Sequence, residues 1–254
     1  MGLLATEPAS IGKVLDTSIK LFVASFSKLI GIFSILAVLY IAMGLLTLNL
    51  QPDPSAPPTA ALELLSENLT LLVGFVIIFT LLSFVLYAAI IYRVDNVANE
   101  REDSFFEAVT VGFRAFPSVF FAVILYMVAI LLGYILLIVP GIILTLSLAF
   151  YLYFIVVDGY GGYAALRASH SLVWGHWWRT MTIFTVPMLI MMAAMFTLGF
   201  LAAILAAGNQ ALLQILMNLL SVIFTPYFFV LGYVLFQDLK LRKSGSDLAS
   251  RLAR

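Results

Sequence analysis

The side chains that could hold a metal or move a proton are few in this chain. His170 and His176 are its only histidines, and it contains no cysteine. Two metal ligands on one face of a helix need a spacing of three or four residues, so a spacing of six does not favour a zinc site, even with Asp158, Asp95 or Asp238 supplied from other loops. We therefore expect no metal and no other cofactor, and we interpret both histidines as interfacial polar residues.

Acidic and basic residues lie close together at several predicted helix ends. Asp158 and Arg167 occupy two such ends, where an ion pair or a bond to free backbone groups would fix one helix against another. Arg93 with Asp95, and Asp238 with Lys240, repeat the arrangement. A ring of these pairs would lock the helices together at one membrane face. No nucleophile, base and orienting group can be recognised together, so we expect structural use and no enzymatic activity.

One apolar segment carries a stripe of neutral polar residues. Gln214, Asn218, Ser221 and Thr225 fall at positions i, i+4, i+7 and i+11 and share one face of a helix. Such side chains usually bond a neighbouring helix in a membrane, for about 0.6–2 kcal/mol each. The alternative interpretation is a polar groove or pore lined by the stripe.

Composition identifies the solvent of these helices as lipid. The chain has 254 residues, of which 63% are hydrophobic and 10% are charged, whereas about 25% are charged in an ordinary globular chain. A soluble fold could not cover this much apolar surface. The net charge is zero, which gives no reason to expect nucleic acid as a partner.

The uncharged runs divide into six segments that are long enough to cross a membrane. A crossing helix needs about 20 residues, and Pro140-Gly141 and Gly208-Asn209-Gln210 break the two longest runs. The predicted spans are about 29–48, 69–92, 118–139, 141–157, 180–206 and 211–236. The fold class is therefore all-α, a polytopic membrane protein in one domain.

All thirteen basic residues lie on one side of these spans. The connections 49–68, 139–141 and 207–210 contain no Lys or Arg. The positive-inside rule therefore predicts that both termini are cytoplasmic. It also predicts a cytoplasmic tail over 238–254.

The chain resembles one unit used three times, in which an interfacial helix precedes a hairpin of two spans. The predicted interfacial helices lie at about 9–27, 103–116 and 162–177, and the first has one apolar and one polar face. Ser104 and Glu107 predict a capping box at the start of the second. Such helices lie in the headgroup plane with basic residues toward anionic lipid.

A motif in the second half carries a family resemblance. The chain reads Val139-Pro140-Gly141-Ile142-Ile143, then Asp158-Gly159, then Ala165-Leu166-Arg167-x-Ser169-x-x-Leu172-x-Trp174. This resembles the YciC-like bacterial inner-membrane proteins, and it is similar to the membrane domain attached to some glycerophosphodiester phosphodiesterases. The resemblance implies a bacterial inner-membrane protein without an established biochemical activity. Its motif residues Pro140, Gly141, Asp158, Arg167, Ser169 and Trp174 are our candidates for structural or interaction roles.

Three functions remain as hypotheses. The leading one is a non-enzymatic inner-membrane protein that organises lipid or partner proteins at the cytoplasmic face. Its expected partners are membrane lipids, with anionic lipids as candidates, and either further copies of the chain or a membrane complex of which it is an accessory subunit. The alternative is a facilitative transporter or channel for a neutral or lipidic molecule, because ionisable groups that would couple transport to an ion are missing from the spans. An enzyme acting on lipid headgroups is the third.

Overall fold

The computed structural model describes residues 4–51, 57 and 59–252, and the regular elements within these ranges are all helices. They are α1 (Ile11–Asn49), α2 (Ala60–Glu67), α3 (Leu69–Ala98), α4 (Phe105–Leu136), α5 (Ile138–Ser147), α6 (Tyr151–Val156), α7 (Gly162–Val173), α8 (Trp177–Ala206) and α9 (Gln210–Leu252). Among the described residues, six helical segments are long and apolar enough to cross a membrane: α1, α3, α4, α5 continued by α6, α8 and α9. The prediction of an all-helical, multi-pass membrane protein is confirmed.

Two of the predicted interfacial helices are not separate elements. The segment 9–27 and the first span form the single helix α1, whose 39 residues give a length of about 58 Å. The segment 103–116 likewise continues into the third span as α4, with Pro117 inside the helix. The first junction contains neither proline nor glycine. At the second, Pro117 removes one backbone donor but does not end the helix.

The predicted capping box at the start of α4 is half formed. The Ser104 hydroxyl accepts a hydrogen bond from the backbone N–H of Glu107 at 3.1 Å. The Glu107 carboxylate does not reach back, because it accepts a bond of 2.6 Å from the Tyr92 hydroxyl of α3. Glu107 thus joins two helices.

The fourth crossing is broken at different places from the one predicted. The chain turns at Leu137, which is extended, and Pro140 lies in the first turn of α5, where the missing N–H of proline costs nothing. Gly133 and Gly141 allow α4 and α5 to approach closely, since a Cβ on Gly133 would lie 3.0 Å from the Cα of Gly141. A second break separates α5 from α6 at residues 148–150, which the sequence analysis did not predict.

The remaining spans differ from prediction mainly at one end. Helix α8 begins three residues before the predicted position 180, while α3 and α9 extend past residues 92 and 236. The predicted tail is therefore helical as far as Leu252, and its last two residues lie outside the described ranges. Ala207 and Gly208 have φ values of 47° and 85°, which form the left-handed turn between α8 and α9.

Packing is densest at one end of the molecule, which we call the charged end and define by residues 9–28, 93–116, 157–179 and 237–243. The largest fully buried side chains lie within or next to this end, including Leu21, Leu29, Ile90, Ile91, Phe150, Tyr233 and Phe236. The opposite, far end comprises residues 49–51, 59–68, 137–138 and 207–209. Leu136 and Leu205, next to this end, are 74% and 73% exposed, so some apolar side chains there face the surrounding solvent.

Candidate functional site

Four carboxylates tie the helices together at the charged end. Asp95, Asp103, Asp158 and Asp238 each bind a cation from another part of the chain. Their side chains range from 0% to 20% exposed. Charges that are this well buried must be paired to be tolerated, so these contacts define the geometry of the charged end.

Asp238 on α9 is the most connected of the four. Its Oδ1 accepts the backbone N–H of Ala9 at 2.8 Å, and its Oδ2 lies 2.9 Å from both Arg179 and Arg242. The two arginines also donate to the Ala9 carbonyl at 2.6 and 2.5 Å. This cluster clamps the segment before α1 between α8 and α9.

The sequence suggested that Arg93 pairs with Asp95, but each of them has a different partner. Arg93 forms a buried ion pair of 2.9 Å with Asp103, which also binds Lys28 of α1 at 3.1 Å. Asp95 pairs with Arg101 and accepts a bond of 2.6 Å from the Tyr233 hydroxyl. Residues two positions apart on a helix point to different sides, which explains the exchange of partners.

Asp158 binds α9 and not Arg167. Both of its oxygens accept bonds of 2.9 Å from Lys240, whose ammonium also lies 4.9 Å from the centre of the Phe236 ring. Lys240 therefore pairs with Asp158 and not with Asp238. Arg167 is exposed and has no bonded partner among the described residues.

Ser169 of the sequence motif has a structural position. Its buried hydroxyl accepts the backbone N–H of Phe150 at 3.0 Å and donates to the Ser147 carbonyl at 2.8 Å. These are backbone groups at the break between α5 and α6, which have no partner inside a helix. Ser169 of α7 thereby supports the unpredicted break from outside.

A basic pocket of about 510 Å³ opens where α7, α8 and α9 meet at the charged end. Its lining includes Arg167, His170, Trp174, His176 and Lys243. Lys243 donates to the Ser171 carbonyl at 2.8 Å and also binds the hydroxyl of that residue. The rings of His170 and Trp174 lie 5.1 Å apart. Donors of these types, on a wall whose described residues include no carboxylate, can bind an anion.

Both histidines of the pocket wall have one ring nitrogen without a partner among the described residues. The Nδ1 atoms of His170 and His176 are shielded from solvent and have no hydrogen-bond partner in the part of the chain that the structure describes. Burial lowers the pKa of His176, and the nearby guanidinium groups of Arg242 and Arg179 lower it further. The neutral imidazole is thus favoured at neutral pH. No group of three or more His, Asp or Glu suited to a metal occurs among the described residues.

The polar stripe of α9 faces α1 over half of its length. Gln214 and Asn218 lie against Gly44, where a side-chain carbon would meet both of them. The Ser221 and Thr225 hydroxyls donate to carbonyls of their own helix at 3.0 and 2.8 Å. The Nδ2 of Asn218 is buried without a partner among the described residues.

Sequence reasoning missed Asp103, Arg179, Lys243 and Tyr233 as members of these clusters. A signal existed for one contact only: Arg242 follows Asp238 by four residues and therefore shares its helix face. The other contacts join residues that are 6 to 233 positions apart, and no helical spacing within one segment reports them.

The profile of an uncharacterised protein family, UPF0259, matches residues 66–235. Comparisons with curated proteins and with solved structures gave no match. The match covers two thirds of the chain, so the protein belongs to this family.

Proposed function

We propose that this member of the family is a non-enzymatic inner-membrane protein of bacteria that organises lipid or partner proteins at the cytoplasmic face. In this proposal both termini are cytoplasmic, and three hairpins of spans each follow a segment that lies at or near the interface. The charged end then faces the cytoplasm. The excess of basic residues at that end supports the orientation, because cationic loops are retained on the cytoplasmic side.

The observation that carries the proposal is the unequal construction of the two ends. Ion pairs, buried aromatic residues and the basic pocket are concentrated at the charged end, while two of the three connections at the far end are short and apolar side chains there are exposed. A rigid, cationic end suits a surface that binds headgroups or proteins. Further copies of the chain or a larger membrane complex are the protein partners that fit an accessory role.

Mass spectrometry of material that co-purifies in mild detergent tests the proposal. We expect the native protein to retain anionic lipid, a second copy or a stable partner protein. A preparation that is monomeric, without lipid and without partners would refute it. Reporter fusions at residues 60 and 245 test the orientation, which requires opposite compartments for the two reporters.

A facilitative transporter for a neutral or lipidic molecule is the second candidate. Asn218 supports it, because an unbonded amide within a membrane span is costly and would be relieved by a polar solute. Uptake into vesicles should then fall on Asn218→Leu, with Ser34→Ala of α1, whose exposed hydroxyl bonds only its own helix, as a control. Equal uptake by both variants would remove this candidate. An enzyme that acts on lipid headgroups is the third candidate. It requires turnover of a lipid substrate by the wild type, and loss of this turnover in an Asp158→Ala variant that is still folded.

A further inference from the structure

The described side chains around the basic pocket carry a net positive charge. Arg167 and Lys243 line its wall together with two histidines. Asp238 acts on His176 from nearby, but this carboxylate is bound by two arginines, so that cluster of three has one positive charge left over. An anion entering the pocket would therefore find a favourable potential from these described residues.

Arg167 is the cation that is available for a ligand. Arg179, Arg242 and Arg93 are held by buried carboxylates, whereas Arg167 is exposed on α7 at the rim and binds no other described residue. The planar fork of a guanidinium matches two oxygens of a phosphate in a bidentate bond. An arginine in this position suits a phosphate group better than it suits a carboxylate of its own chain.

Helix α8 begins at Trp177, directly after His176 of the pocket wall. His176 precedes the first turn of this 30-residue helix, its side chain does not cap the turn, and the turn contains no acidic residue. Free N–H groups and the positive end of the helix dipole therefore remain uncompensated beside the pocket. Such helix ends favour phosphate.

The depth of the pocket points to a lipid as the source of the phosphate. Trp174 lines it and is 67% exposed, and Trp178, two residues after the lining residue His176, is 74% exposed; tryptophan collects at the level of the headgroups. A volume of about 510 Å³ lies in the range of small-molecule sites and holds a substituted phosphate as well as a bare ion.

We propose that the basic pocket binds the phosphate of an anionic phospholipid, with Arg167 as the principal ligand and the two histidine side chains of the wall as further donors, and with the dipole of the adjoining α8 N-terminus favouring the negative charge. The inference rests on the proposed function and names the ligand class of the charged end. Lipid phosphate and free phosphate share the chemistry, and the membrane depth of the site selects the lipid.

Binding of short-chain lipids to the delipidated full-length protein tests this inference. The probes are dioctanoyl phosphatidylglycerol, dioctanoyl phosphatidylcholine and inorganic phosphate, each titrated in the same detergent and followed by native mass spectrometry. Arg167→Gln removes the charge, and Arg167→Lys keeps the charge but loses the fork. Arg114→Gln is the matched control, because Arg114 is also an exposed cation of the charged end without a bond to a described residue.

We expect phosphatidylglycerol to bind wild type and Arg114→Gln equally, and Arg167→Gln roughly tenfold or more weakly, as a lost charge-assisted hydrogen bond implies. Arg167→Lys should fall between them. If Arg167→Gln binds phosphatidylglycerol like wild type, the basic pocket is not the binding site, while the proposed function stays intact. Inorganic phosphate or phosphatidylcholine binding as tightly as phosphatidylglycerol would overturn the anionic lipid as ligand. Wild type that binds no lipid, retains none and has no partner would refute the proposed function as well.

Discussion

Replacing Asp238 by alanine should destabilise the fold more than any other single change at the charged end. The side chain of Asp238 is 3% exposed, and those of its partners Arg179 and Arg242 are 16% and 24% exposed. Solvent therefore screens these charges only weakly. Asp238→Ala leaves two arginines and the Ala9 N–H without their acceptor, and breaking a buried pair in this way costs about 3–5 kcal/mol.

Two variants separate the charge from the other contributions. Asp238→Asn keeps an acceptor for the Ala9 N–H, a bond worth about 1 kcal/mol, so its loss should be smaller than that of Asp238→Ala by about that amount. Asp16→Ala is the matched control, since the pair of Asp16 with Lys20 is 58% and 64% exposed and such pairs contribute about 0.3–0.5 kcal/mol.

The assay is a titration with SDS from mild detergent, followed by tryptophan fluorescence. The three tryptophans lie at the junction of α7 and α8, next to Arg179, so they report on the region where the clamp is broken. Limited proteolysis should also show faster cleavage before α1 in Asp238→Ala. An unfolding free energy for Asp238→Ala equal to that of Asp16→Ala would refute the reasoning.

Three further predictions use the same titration. Ser169→Ala should cost about 1–3 kcal/mol, because two backbone groups at the break between α5 and α6 lose their partner; a loss below 0.5 kcal/mol, on the order of a surface substitution, would contradict the assigned role. Gly112→Ala should cost about 1–3 kcal/mol, since its Cβ would collide with the Val85 carbonyl, whereas Gly12→Ala has open space and should be neutral or slightly stabilising; equal effects would disprove the close approach of α3 and α4. The lowered pKa of His176 means that the unfolded chain takes up this proton first. Stability should therefore be highest above about pH 6.5 and fall as the pH drops through the folded pKa, and His176→Gln should reduce that fall; an identical pH profile in the variant would exclude His176 as its source.

The number of spans could be predicted from the sequence, because lipid requires each span to be apolar and to bond its backbone groups within the segment. An uncharged run of about 20 residues crosses as a helix almost regardless of its neighbours. The break at residues 148–150 was not predictable in this way, since no proline or glycine lies there. It depends on Ser169, a side chain that reaches it from another helix.

The ion pairs show the same limit at the candidate site. Closeness in sequence suggested Arg93 with Asp95 and Asp238 with Lys240, but two residues along a helix correspond to a rotation of about 200°. The actual partners lie on adjoining elements. The basic pocket is assembled from three helices, so its cations could be identified from the sequence while their meeting point could not.

All ion pairs among the described residues lie at the charged end, and this has a consequence for bilayers of different thickness. Since the strong contacts lie at the charged end, the opposite halves of the helices can tilt apart or together without breaking an ion pair. A change in hydrocarbon thickness costs only fractions of a kcal/mol per Å when helices can tilt. If the six helices cross a membrane as proposed, a change in its thickness would be met by tilt at the far end while the ion pairs at the charged end stay formed.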